Sequence, residues 1–336
     1  MSMSAHTKRL LKDTGARVPV LCGPMYPGSN PELVAAVSEA GGFGVVQPIA
    51  LTRLYGWDFR EGLRHIKSLT DKPFGVNITI LPNSAAAAKY RKINEEFLDV
   101  ALDEDVKFIL TSLGKPDDIV KIAHERGAKV YHDVHNEKLA VRAAGAGVDG
   151  LNLLNDRMGG QTGSLPASQI VKCREEVERA SGRDDFPLLC AGGVSTAGNL
   201  QEALEAGYSG VQCGTRFLAT QECKITDAYK EAIVGADADD VVLTNKLAGT
   251  FSSVIRTPQV EEGGLRVGFP FNHMLKHPWT KSLARMYLLK GAIEKYDQAA
   301  FDPDVQYWQA GKGVDGIEGV LSCQEVIDQF GWESKK

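Results

Sequence analysis

Eight short runs rich in β-branched and apolar residues recur through the first two thirds of the chain. They are "VPVLCG" (18–23), "GFGVVQ" (42–47), "FGVNITI" (74–80), "KFILTS" (107–112), "KVYHDV" (129–134), "GLNLL" (150–154), "PLLCAGG" (187–193) and "GVQCGT" (210–215). Between them lie segments of helical period, such as 30–42, 115–128, 136–147 and 196–207. Several of these open on Asn, Ser or Thr and close on Gly, the residues that cap helix ends. Alternating strands and helices of this kind build parallel βαβ units, and eight of them close into a (β/α)8 barrel. The fold expected is therefore an α/β TIM barrel whose site lies at the C-terminal ends of its strands. An open doubly wound sheet is the rival, but it wants a G-x-G-x-x-G after the first strand, and "CGPMYPGSN" has none.

After residue 220 the alternation stops. Residues 221–310 read as helices and polar loops, with "DAYKEAIVGA" and "TKSLARMYLLKGAIEKY" the clearest helices. A last helix, "SCQEVIDQF" (322–330), returns to close the barrel. The division expected is 1–220 plus 311–336 as the barrel, with 221–310 a helical lid inserted after the eighth strand.

Composition narrows the partners. A net charge of −5 with 24% charged residues carries no basic bias toward nucleic acid or an anionic membrane. The six cysteines are scattered, without C-x-x-C pairs or zinc-ligand spacing. Cys22, Cys190 and Cys213 sit in apolar runs as buried thiols, which suits a reducing compartment. With no apolar signal core and no uninterrupted run of eighteen apolar residues, the expected location is cytoplasmic, with no membrane partner and no metal.

Two glycine turns follow consecutive strands, "CAGGVST" (190–196) and "QCGTRF" (212–217). In barrels the loops at these positions commonly hold a phosphate on backbone amides, and glycine lets the oxygens approach. The hydroxyls of Ser195, Thr196 and Thr215 lie beside them.

The combination of "CGPM" after the first strand, "GVN" on the third, "AGGV" on the seventh and "GVQCGTRFLAT" on the eighth resembles the nitronate monooxygenase family. That family, formerly the 2-nitropropane dioxygenases, consists of FMN-binding TIM barrels with flavin enoyl reductases and quinone reductases among its relatives. The resemblance runs from about residue 18 to the C-terminus, including "YWQAGKGVDGI". It implies an FMN phosphate on Gly192, Gly193, Gly214 and Thr215, with Gly159 and Gly160 assisting. It also implies a ring edge against Gly23, Pro24 and Met25, and a ring oxygen near Asn77. Ala191 and Gln212 complete the implied cofactor-binding set.

The turn after the sixth strand departs from that pattern. Where the family usually reads A-G-G-H-x-G, this chain reads "MGGQTG", so Gln161 stands at the histidine's position. An amide donates and accepts hydrogen bonds but cannot take a proton from carbon. In "VYHDVHN" strand alternation sets His132 and Val134 on one face and Asp133 and His135 on the other. His135, at the strand's end, is the candidate base; a lysine that family members often carry near Asp133 is missing.

The function implied is an FMN-dependent oxidoreductase that converts small alkyl nitronates, with O2, into carbonyl compounds and nitrite. One alternative is an NAD(P)H-dependent flavin reductase for a quinone or an enoyl thioester. Another is a barrel that binds FMN or a phosphate ligand without redox turnover. Cationic residues of 221–310, among them Lys224, Arg256, Arg266, His273 and Lys276, offer attraction for an anionic substrate or a dinucleotide phosphate.

Overall fold

In the computed structural model, which describes residues 3–81, 83, 87–160 and 162–332, the eight runs are the eight strands of one closed parallel barrel. In chain order they are β1 (Val20–Cys22), β2 (Phe43–Val46), β3 (Gly75–Thr79), β4 (Phe108–Ser112), β5 (Lys129–Val134), β6 (Gly150–Leu154), β7 (Leu188–Ala191) and β8 (Gly210–Cys213). Closure is made where β1 pairs with β8, Val20 opposite Val211 and Cys22 opposite Cys213.

Side chains alternate across each strand, and the buried clusters show which parity points inward. Leu21, Phe43, Val45, Phe108, Leu110, Tyr131 and Leu189 pack together inside the barrel. The opposite parity, including Val20, Cys22, Val76, Ile109, Val130, Leu151 and Val211, packs outward against the helices in the main core.

The closed end carries an element that the periodicity of the sequence does not announce. Residues Ala5–Thr14 form a helix capped by the Ser4 side chain. Its Leu10 is fully buried in the interior cluster, and Tyr131 Oη donates to its Asp13 Oδ2 at 3.2 Å. This helix plugs the N-terminal mouth, leaving the C-terminal mouth for ligands.

The insertion is not wholly helical, which corrects the expectation for 221–310. Helices Asp227–Gly235, Pro258–Gly263, Phe271–Met274 and Pro278–Phe301 are accompanied by an antiparallel pair, β9 (Val241–Thr244) and β10 (Ser252–Ile255). Short β-branched runs on either side of a loop whose Gly249 has φ +68° favour such a hairpin. Val242 and Val254 bury their side chains with Val260 in a small core of their own. The hairpin reaches the barrel mouth: Ser253 of β10 forms a bridge with Gly160, and Val254 one with Gln309. Among the described residues no helix is long and apolar enough to cross a membrane.

Candidate active site at the C-terminal mouth of the barrel

Two residues beyond the apolar interior layer, the inward positions turn polar. Val45 is followed by Gln47, Gly75 by Asn77, Tyr131 by Asp133, Gly150 by Asn152 and Gly210 by Gln212. Gln47 Nε2 donates to Asn77 Oδ1 at 3.0 Å, and Asn77 Nδ2 to the Leu110 carbonyl at 2.9 Å. Across the mouth, Asn152 Nδ2 donates to Asp133 Oδ1 at 2.7 Å. Two acceptors in this layer, Asn152 Oδ1 and Gln212 Oε1, are buried without a partner among the described residues. A buried acceptor left unpaired costs about 1–3 kcal/mol. Two such acceptors at the open end of a barrel mark where a ligand's donors belong.

Asp133 is the ionisable member of this layer. Burial raises its carboxyl to about 7, against the single opposing hydrogen bond from Asn152. Its neighbour His132 faces outward, where burial lowers the imidazole to about 4 and Nδ1 lies 2.8 Å from Thr111 Oγ1. His132 is therefore a neutral structural group. His135 continues the inward parity of Asp133, as the alternation predicts, but stands exposed beyond the strand. Strand alternation sets Asp133 and His135 on one face; the structure leaves His135 exposed and desolvates Asp133, which the sequence reading did not single out. The signal available was its parity with Asn77 and Gln212; the missing one was its desolvation. Gln161 lies outside the described residues.

The glycine turns make a backbone cradle. Gly192 and Gly193 adopt φ of +121° and +74°, a region that favours glycine. Among the described residues the amides of Gly192, Gly193, Gly214 and Thr215 donate to no acceptor in the protein. Unpaired amides at the ends of two adjacent strands are donors of the kind that can hold an anion. A methyl group on Gly214 would meet only Met25, with Sδ at 3.4 Å, so the space over that amide is open.

The hydroxyls beside the turns are partly committed elsewhere. Thr196 caps the helix Ala197–Glu205 by accepting from the Asn199 amide, and Thr215 Oγ1 accepts from the Gly311 amide at 2.9 Å.

The turn after β6 braces the cradle. Fully buried Asn155 donates from Nδ2 to the Gly192 carbonyl at 2.9 Å and accepts the Arg157 amide on Oδ1 at 2.8 Å. A methyl group on Gly192 would fall 2.3 Å from that Oδ1. Arg157 lies over Gly193 and donates to the Lys312 carbonyl at 3.0 Å. Gly159 abuts the backbone of Ala310 and Gly311 so closely that a methyl group would approach the Gly311 nitrogen to 2.7 Å. Thus "GLNLLNDRMGG" ends in adjacent glycines because three chain segments meet there, and Asn155 knots two of them.

After β1, the Gly23 amide donates to the Cys213 carbonyl at 3.0 Å and the Met25 amide to Ser29 Oγ at 2.9 Å. With Pro24 lacking a donor, this loop offers a ligand its carbonyls and the Met25 thioether rather than amides. The Cys22 thiol is raised well above its ordinary range by burial and is inert. Tyr26 Oη donates to Asp297 of the helix Pro278–Phe301, and Arg53 Nη2 pairs with the same carboxylate at 2.9 Å. Tyr26 also packs with Leu247, Ala292 and Tyr296 of the insertion, which is thereby tied to the loop carrying Met25.

FMN fits these residues. Its phosphate suits the unpaired amides, and its flat ring, with one N–H donor and several acceptors, suits the amide layer with its two orphaned oxygens.

The nitronate monooxygenase family model matches residues 8–331. The chain is 29% identical to the nitronate monooxygenase of Pseudomonas aeruginosa over 276 residues, covering 72% of this chain and 78% of that one. It is 28% identical over 258 residues to a (3aS,4S,5R,7aS)-5-hydroxy-7a-methyl-1-oxo-octahydro-1H-indene-4-carboxyl-CoA dehydrogenase of Rhodococcus jostii, covering 77% of this chain and 68% of that one. Among solved structures, FabK from Thermotoga maritima superposes with a TM-score of 0.77 at 25% identity, over 96% of this chain and 94% of its own. The nitroalkane oxidase of Streptomyces ansochromogenes, at 22% identity and a TM-score of 0.73 over 96% of this chain and 97% of its own, shares the fold. With the barrel, the cradle and the family match in agreement, this chain belongs to the nitronate monooxygenase family.

Proposed function

We propose that the protein is an FMN-dependent oxidoreductase that oxidises small alkyl nitronates with O2. The observation that carries this reading is the unpaired amide cradle at Gly192, Gly193, Gly214 and Thr215 beside a barrel mouth with two orphaned acceptors. When bound, FMN supplies the redox chemistry and the reaction with O2. The overall change balances as two nitronates and one O2 giving two carbonyl compounds and two nitrites.

The protein's own residues have separate tasks. The cradle amides hold the phosphate, the Gln47–Asn77 pair orients polar ring atoms, and the Met25 thioether packs softly against the ring. The Gln161 amide orients the nitronate oxygens. The Asp133 carboxylate takes the carbon-bound proton of a neutral nitroalkane, the step an amide at 161 cannot perform. Residues 221–310 exclude water from the mouth. The buried free cysteines fit a cytoplasmic setting.

The deciding experiment is an absorption spectrum of the purified protein, followed by nitrite detection with a nitronate under air. Lack of flavin bands after reconstitution sinks the reading.

A second reading is favoured by the similarity to a carboxyl-CoA dehydrogenase. It keeps the cofactor and makes the protein an NAD(P)H-dependent reductase of an enoyl thioester or quinone. Anaerobic bleaching of the flavin by NADH or NADPH, without nitronate turnover, selects it.

A further inference from the structure

The longest helix of the insertion, Pro278–Phe301, is covered along one side. Ala284, Ala292, Tyr296 and Ala299 are buried, with Ala292 and Tyr296 in the cluster that holds Tyr26. Trp279, Leu283, Met286 and Tyr287 follow one another at three- and four-residue steps, which places them on a single helix face turned away from the buried row. All four are exposed, Trp279 at 95% and Tyr287 at 69%. Phe271 stacks on Tyr287 with ring centroids 5.2 Å apart, and Phe269, two residues earlier, is 83% exposed. Apolar side chains exposed singly need no explanation, but a contiguous row of them marks an interaction surface.

Two observations say what covers it. The first is charge. Residues 276–290 carry Lys276, Lys281, Arg285 and Lys290 and no carboxylate, whereas 291–304 carry Glu294, Asp297, Asp302 and Asp304 against Lys295 alone. The helix is therefore basic along its first half and acidic along its second, so an identical helix laid antiparallel sets each basic half beside an acidic one. An anionic bilayer lying along the same face would meet the acids as well as the bases. The second is area. An aromatic side chain buries about 150–250 Å², so Phe269, Trp279 and Tyr287 on two copies offer on the order of 1,000 Å² before Leu283 and Met286 are added, which reaches the roughly 1,000 Å² that a specific interface requires.

We infer that this face binds a second copy of the chain, the helix Pro278–Phe301 packing antiparallel against its own equivalent about a two-fold axis. Such an interface is self-complementary, each contact occurring twice. With the axis at residue 285, Leu283 lies opposite Tyr287 of the second copy, Met286 fills the centre, and Trp279 covers the Lys290–Gly291 stretch, where the lysine can approach the indole ring. Lys276 then reaches Glu294 of the second copy at each end. The helix is thereby held between a second copy on one side and the Tyr26 loop on the other, so the assembly braces the roof of the barrel mouth.

The test is sedimentation velocity of the full chain across the micromolar range, for wild type, Leu283→Glu, Lys276→Glu, Glu294→Lys and the double variant carrying both charge reversals. Leu283 is 62% exposed, and Lys276 and Glu294 are exposed, so the monomer fold does not depend on them; circular dichroism of each variant checks this. Wild type is expected to dimerise, with a melting temperature that rises with concentration. Leu283→Glu, which brings a charge into the centre of the interface, should raise the dimer Kd at least about tenfold. Each single charge reversal should raise it about fivefold, and the double reversal should return it to near the wild-type value. A wild type that stays monomeric, or a dimer that Leu283→Glu leaves intact, overturns the inference. Failure of the double reversal to rescue the singles overturns the antiparallel arrangement. Monomeric wild type that sediments with phosphatidylglycerol vesicles overturns the inference in favour of a lipid surface.

Discussion

Asn152 Nδ2 donates to Asp133 Oδ1 across 2.7 Å, joining adjacent strands in the first polar layer above an apolar barrel interior. The bond stabilises the ionised carboxylate, but burial outweighs it and leaves the group near 7. A carboxyl poised there can exchange a proton at neutral pH, whereas one at its ordinary value of 3.8 would be a poor acceptor.

Turnover of a neutral nitroalkane should therefore rise with pH through about 7, as Asp133 ionises. Asp133→Asn should abolish that activity and leave oxidation of the preformed nitronate within about threefold of wild type. Adding Gln161→His to this variant should restore nitroalkane turnover, rising through an imidazole pKa of about 6.5. Nitrite release from a nitroalkane and its nitronate, measured across pH for the three proteins, checks this. Loss of both activities in Asp133→Asn would show a role other than proton transfer.

Stability carries the same signature. The native state holds a proton on Asp133 up to about 7, whereas the unfolded chain releases it near 3.8. The contribution of this group is fully present below 3.8 and is lost as pH rises through about 7. Asp133→Asn has no proton to release and escapes that loss, so its melting temperature should gain on wild type between about pH 5 and about pH 8. Thermal unfolding of apo protein at the two pH values measures it; a gap that does not widen refutes the assignment.

The phosphate cradle is tested most cleanly at Gly214. A side chain at Gly193 would be strained by its φ of +74° and would strike Arg157, so loss of FMN there would be confounded with misfolding. Gly214 has room for a side chain in the absence of ligand. Gly214→Val should purify folded and bind FMN about ten- to a hundredfold more weakly, the equivalent of one charge-assisted hydrogen bond at about 1.5–3 kcal/mol. Flavin fluorescence titration reads the change. Unaltered affinity would move the phosphate elsewhere.

Asp297 links the insertion to Tyr26 and Arg53. Asp297→Ala should cost little stability, on the order of 1 kcal/mol for a partly exposed pair. It should also slow nitronate turnover about fivefold, as expected for about 1 kcal/mol lost from the closed mouth, with FMN content unchanged. Deleting 221–310 is a poorer test of the roof, because Tyr229, Ile233, Ala299 and Ala300 belong to the main core. Turnover equal to wild type in Asp297→Ala would show that this contact does not hold the mouth closed.

What the sequence determined by itself was local and periodic. Strand runs such as "KFILTS" and "GVQCGT", capped helices between them and paired glycines after β7 and β8 are patterns within a few residues, so barrel, site end and family were all legible. Alternation set Asp133 and His135 on one face of their strand, the face that the interior parity of Tyr131 makes inward. The remainder depended on neighbours far apart in the chain. The Asp133 carboxyl rises because strands distant in sequence remove its water, and desolvation is a sum over space that no local pattern carries. Leu10 plugs the barrel only because the other strands leave it an apolar floor. Gly192 needs its missing side chain because Asn155, 37 residues earlier, occupies that space. Arg266, Lys276, Lys281 and Arg285 are spread along the sequence, and only the tertiary structure brings them to the wall of one cavity.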